Sequence, residues 1–130
     1  MEPEAIGRWA PASIMDHYPY FQLVEFDSPT TIIGRNCGST LNLATVFTEA
    51  RRRDFSGIDP DGQLSSETRT LMKIAVSVEK IEAYGSTMGE LGPGMTARIT
   101  ISGPELGHLY RVCSELPEHS YLEFISVKVQ

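Results

Sequence analysis

From Leu71 to Val78 the chain alternates: Met72, Ile74, Val76 and Val78 are apolar, while Lys73, Ser77 and Glu79 fall on the other side. A period of two is the pleat of a strand with one face on a core, so this segment constrains the fold more than any other. Such a strand needs partners. Ala97, Ile99 and Ile101 alternate with Thr96, Arg98 and Thr100 across a link carrying Gly85, Gly89, Gly92 and Gly94, which predicts a long antiparallel hairpin.

Other segments add to this sheet. Tyr20 to Phe26 reads as a strand, followed by the turn residues Asp27, Ser28 and Pro29 and a short β-prone run from Thr30 to Gly34. Tyr121 to Val129 is apolar on both faces, which predicts a central strand. Two helices are expected. Ser39 or Thr40 can cap one from Leu41 to Arg53, with Leu41, Ala44, Phe47 and Ala50 at helical spacing. Pro104 suits the first position of the other, in which Leu106, Leu109, Tyr110, Cys113 and Leu116 form a stripe ending before Pro117. Pro60, Gly57 and Gly62 leave Phe55 to Arg69 as a long loop.

These elements predict an α+β fold, an antiparallel sheet with two helices in the order β(β)αββαβ. The ferredoxin-like split βαβ arrangement has this order, as do other α+β folds. Residues 1–19, with Pro3, Pro11 and Pro19, read as an N-terminal arm, and 20–130 as a single domain of ordinary size.

Charge and composition exclude several function classes. The net charge of −6, from 17 acidic and 11 basic residues, opposes the phosphate attraction on which nucleic-acid binding depends. Thr96 to Ser102 lacks the aromatics on which an RNA-recognition sheet stacks bases. No apolar run is long enough for a transmembrane helix, and the first residues resemble neither a signal nor a transit peptide, so the expected location is cytoplasmic. Cys37 and Cys113 have neither disulfide-framework nor metal-pair spacing and are expected to be reduced thiols.

No motif supplies a catalytic site, a metal or a cofactor, and none of the three is expected. Asp59 to Glu67 partly imitates a calcium loop, but Gly57 and Thr68 occupy the positions where the first ligand and the bidentate glutamate belong. His17, His108 and His119 are too scattered to share a zinc ion. The glycine link joins two expected strands, unlike a phosphate loop, so it reads as a hairpin tip; as a mobile flap it would offer Met88, Leu91 and Met95.

Two groups remain. Arg51, Arg52 and Arg53 suit the negative end of a helix, and with Arg35 and Arg69 they would form an anion-binding patch if the adjacent loops fold together. Trp9, Tyr18, Tyr20 and Phe21 are the densest aromatic group, as suits either interface anchors or an arm packed on its own core.

The leading functional expectation is a non-enzymatic interaction or assembly protein that self-associates, or binds another protein, through sheet edges or the aromatic arm. The second is a small enzyme or small-molecule binder with a pocket between sheet and helices. Its marker would be a buried ionisable group among Glu79, Glu82, Glu123 and His108. The third is an acidic inhibitor of a basic nucleic-acid-binding partner, which requires the acids to be grouped on one face.

Overall fold

The computed structural model describes residues 18–58, 60–62 and 64–127. Among the described residues nine strands and one helix follow in the order β1 (Tyr20–Ser28), β2 (Thr31–Asn36), β3 (Leu41–Asn42), β4 (Val46–Ile58), β5 (Leu64–Ala83), β6 (Ser86–Met88), β7 (Glu90–Leu91), β8 (Thr96–Ser102), α1 (Leu106–Ser114) and β9 (Ser120–Ile125). Six of them pair antiparallel in the order β4-β9-β1-β2-β8-β5, and β5 pairs again with β4 to close a barrel. This overturns the α+β, two-helix, ferredoxin-like expectation.

The error lies at β4, and its physical reason is a register shift against β5. From Phe47↔Val76 to Glu49↔Lys73, β4 advances two residues while β5 advances three, so β5 carries an extra residue there. Opposite such a bulge the two-residue alternation of the partner strand is interrupted. Phe47 and Ala50, three residues apart, are therefore both fully buried, as they would be on a helix face. The spacing of three came from a strand paired with a bulged one, and no helix forms over Leu41 to Arg53.

The second error is the loop assigned to Phe55–Arg69. It is the far end of a β4–β5 hairpin, paired from Arg51↔Thr70 through Ile58↔Leu64. Its residues are mostly exposed, so they lack the alternation by which a half-buried strand is recognised. Gly57 and Gly62, near the turn, have φ of 117° and 81°, a region that side chains with a Cβ avoid. Ser65, Ser66 and Glu67, part of the calcium-loop resemblance, are strand residues.

Most of the expected N-terminal arm, residues 1–17, lies outside the described residues. Several of the other expected strands hold in outline. β1 and β2 form a hairpin, Ile74, Val76 and Val78 point inward from β5, and β5 pairs with β8. β9 lies between β4 and β1, the central position its two apolar faces predict. The glycine link is fastened rather than flap-like: β6 pairs with β5, β7 pairs with β3, and Leu91 is fully buried.

The interior is filled by Phe21, Leu23, Ile32, Phe47, Val76, Ile99, Leu122 and Phe124, with the rings of Phe47 and Phe124 5.6 Å apart. Burying each large apolar side chain contributes about 1.5–3 kcal/mol. Helix α1 adds Leu106 and Leu109 to this core, and Tyr110 meets Phe26 of β1 edge-on at 5.5 Å. Gly34 is required by close approach: a Cβ there would lie 2.1 Å from the Gln22 carbonyl oxygen and 2.8 Å from the Phe21 ring.

One buried polar side chain organises the turn after β2. Asn36 donates to the carbonyls of Ser39 and Leu91, both at 2.9 Å, and its Oδ1 accepts from the Gly38 amide at 3.1 Å. With these bonds made, a fully buried amide ties β2 to β7 at little cost.

Candidate functional site on the outer barrel face

Alternation sends every second residue of a barrel strand outward. Registers align Arg51 of β4 with Glu123 of β9, Glu123 with Gln22 of β1, Gln22 with Arg35 of β2, and Arg35 with Thr96 of β8. Five strands thus lay one polar row across the outside of the barrel. At its centre Glu123 is completely buried although it points away from the apolar interior.

Its neighbours account for that burial. Arg51 Nε donates to Oε1 at 2.9 Å, whereas Oε2 accepts from Arg53 Nε at 2.6 Å, the Tyr20 hydroxyl at 2.6 Å and Gln22 Nε2 at 3.3 Å. The Arg51 guanidinium also lies over the Tyr20 ring, 4.7 Å from its centre, and Arg53 Nη1 reaches Ser66 Oγ at 2.9 Å. Two guanidinium groups against one carboxylate leave the cluster with a net positive charge.

The cluster shifts the titration of its members. Burial first, and then the Glu123 carboxylate with its hydrogen bond, push the Tyr20 phenol well above its ordinary value of 10.0. Burial alone would draw the Arg51 and Arg53 guanidinium groups down, but the charge and hydrogen bonds of Glu123 outweigh it and hold both above the ordinary arginine value. Glu123, held by four donors from β1 and β4, is fixed in place.

The pleat divides the arginine triplet. Arg51 and Arg53 turn to Glu123, while Arg52 turns to the other face and bonds Asp54 at 2.7 Å, with Arg69 opposite it in register. The five-arginine patch therefore separates into Arg35, Arg51 and Arg53 on one side and Arg52 and Arg69 on the other. The Ser120 hydroxyl and then Arg52 hold the Asp54 carboxyl below its ordinary value.

Of the aromatic group, Trp9 lies outside the described residues. Tyr18 is half-buried and its carbonyl accepts from Ser39. Tyr20 is committed to Glu123, and Phe21 is wholly within the core. Of the four ionisable candidates, Glu123 alone is fully buried; Glu79 and His108 are exposed and Glu82 is half-buried beside Lys80. Neither Cys37 nor Cys113 forms a disulfide, and burial pushes the Cys113 thiol upward. Among the described residues no group of three or more His, Cys, Asp or Glu could hold a metal ion, and no helix is long and apolar enough to cross a membrane.

Beside the cluster the same face opens into a pocket of about 420 Å³ lined by Gln22, Val24, Arg35, Phe55, Thr96, His119 and Tyr121. Phe55 and Tyr121 meet edge-on at 5.6 Å and make one wall. His119 has a φ of 69°, and its carbonyl accepts from the Phe55 amide at 2.9 Å, which ties the turn before β9 to β4. Sequence reading missed Gln22, Val24, Thr96 and His119 as neighbours because their strands are distant in sequence. The available signal was the i, i+2 repetition in Tyr20/Gln22, Arg51/Arg53 and Tyr121/Glu123, which is how outward pairs on strands are written. In comparisons with protein-family models, with curated proteins and with solved structures, the chain matches none.

Proposed function

We propose that this chain is a non-enzymatic interaction and assembly domain that self-associates by pairing β5 of one copy antiparallel with β5 of a second. The carrying observation is the one-sided pairing of β5. β4 runs along one edge from Leu64 to Ser77, but β8 takes the other edge only from Ser77 to Glu82. From Ser65 to Lys73 that second edge has no strand beside it among the described residues. A row of unpaired amides and carbonyls is a template for another strand.

The sequence of this edge complements itself. With a two-fold axis at Thr68, Glu67 of each copy stands opposite Arg69 of the other, giving two cross-strand ion pairs worth roughly 0.2–1 kcal/mol each. The backbone ladder supplies the affinity, and the charges select this register over a slipped one.

The alternatives have less support. A buried ionisable group, the marker of a catalytic pocket, does occur at Glu123, but its donors make it a structural anion. An inhibitor of a basic protein needs one acidic face, whereas Asp27, Glu49, Asp54 and Glu82 are each paired with a base and are spread over β1, β4 and β5.

Light scattering over a concentration series tests the reading, with dimer expected as concentration rises. Glu67→Arg or Arg69→Glu alone should weaken the dimer by placing like charges opposite one another. The double exchange Glu67→Arg/Arg69→Glu should restore it. A strict monomer at every concentration, or a double variant no better than the singles, would refute β5 self-pairing.

A further inference from the structure

We infer that the pocket beside Glu123 is a binding site for a small organic anion, a flat ring carrying one phosphate or carboxylate group. This is independent of β5 self-pairing and uses no atom of that edge. The anionic half of the assignment comes from charge. None of the seven lining residues is acidic, and Arg35 is exposed and makes no ion pair among the described residues. The one buried carboxylate nearby is over-neutralised by Arg51 and Arg53, so the ground beneath the pocket is also positive. A positive site in a chain of net charge −6 runs against the overall field and needs a local reason.

The direction in which the anion is held comes from the polar row. Arg35 stands in register between Gln22 and Thr96 on the neighbouring strands. A guanidinium can present two parallel N–H donors to a phosphate or carboxylate. Gln22 spends one amide hydrogen on Glu123 and has a second to donate, and Thr96 adds a hydroxyl. The three lie side by side on three strands of a closed barrel, so they are positioned before any ligand arrives.

The flat-ring half comes from the opposite wall. Phe55 and Tyr121 are locked edge-to-face, and Val24, displaced by the bulge between Leu23 and Glu25, is 64% exposed. An exposed valine beside two aromatic side chains offers an apolar slot to the body of a ligand whose charge is held at Arg35. The volume of about 420 Å³ lies within the range of small-molecule sites and suits one or two rings.

The test uses the full chain labelled with ¹⁵N and titrated with phenyl phosphate, benzoate, inorganic phosphate and benzyl alcohol. Saturable amide shifts at Gln22, Arg35, Thr96 and Tyr121 are expected with phenyl phosphate and benzoate. Inorganic phosphate should bind at least five-fold more weakly and benzyl alcohol should give no saturation. Arg35→Gln, at an exposed position that leaves the fold intact, should weaken phenyl phosphate at least ten-fold, and Thr96→Val two- to three-fold. Equal binding of inorganic and phenyl phosphate would overturn the ring-binding assignment. Unchanged affinity in Arg35→Gln, or shifts confined to other faces, would overturn the site.

Discussion

Two stretches of the same β4–β5 pair show opposite solutions to one problem, the polar groups of a strand. At Arg51 and Arg53 the hairpin is flanked by β9, and side chains from β1 and β4 converge on the one carboxylate of β9 until nothing about it remains exposed. Across β4, from Ser65 to Lys73, β5 has no strand on its second edge among the described residues. The first stretch is closed to partners and pins three strands together; the second is open and holds nothing but its own hairpin. Rigidity and adhesion are therefore set by which side of the hairpin another strand covers, more than by composition, since both stretches are rich in charge and hydroxyl groups.

The comparison breaks most sharply at Glu123. Glu123→Ala leaves two half-buried guanidinium groups and a buried phenol without their acceptor, and should cost about 3–5 kcal/mol in urea unfolding. The triple change Arg51→Met, Glu123→Leu, Arg53→Met removes the charges together and should recover most of that loss, because paired buried ions contribute little beyond their own desolvation. A triple variant as unstable as Glu123→Ala would mean that the cluster specifies the barrel and does not merely tolerate its charges.

A middle effect is expected at Tyr20. Tyr20→Phe removes a buried hydrogen bond to a charged acceptor and should cost about 1.5–3 kcal/mol near neutrality. The sign of its pH dependence follows from its raised pKa. The folded state holds the phenolic proton more tightly than the unfolded state. That contribution is present in full below the ordinary value of 10.0 and is lost as pH rises from there towards the higher folded value. Wild type should therefore lose stability above pH 10 more steeply than Tyr20→Phe; parallel alkaline curves for the two would contradict the buried, Glu123-bonded phenol.

The smallest stability effect belongs to the open edge. Thr70→Lys, on an exposed strand position, should change monomer stability by no more than about 0.5 kcal/mol. It should nevertheless shift the mass distribution towards monomer, because lysine on an edge discourages strand addition. A large loss of stability there would show that the edge is not bare in solution.

This contrast also explains what could be read beforehand. The strands around Tyr20–Phe26, Met72–Val78 and Thr96–Ser102 and the helix after Pro104 have one apolar face each, and a half-buried face writes its period into the sequence. β4 was misread because a bulge in β5, opposite Phe47 to Glu49, gives Phe47 and Ala50 helical spacing. The hairpin beyond it was misread because a strand exposed on both faces writes no period at all. Glu123 is one of four ionisable candidates, three acids and a histidine, and Arg51–Arg53 reads as a cluster, but joining them required knowing that β9 lies beside β4, more than 65 residues away, and a pairing of that range leaves no local trace.

The position of β9 carries one more consequence, for the order in which the molecule can be made. Its partners are β1 on one side and β4 on the other, with pairings that span about a hundred residues to Tyr20 and some seventy to Arg51. While a ribosome is still synthesising helix α1, the seam between β1 and β4 has no strand to fill it, and two unpaired strand edges with the apolar interior between them are open to solvent. The barrel behaves like a cask that stays open until one stave is seated: it cannot close before Ser120–Ile125 has been made and has paired on both sides.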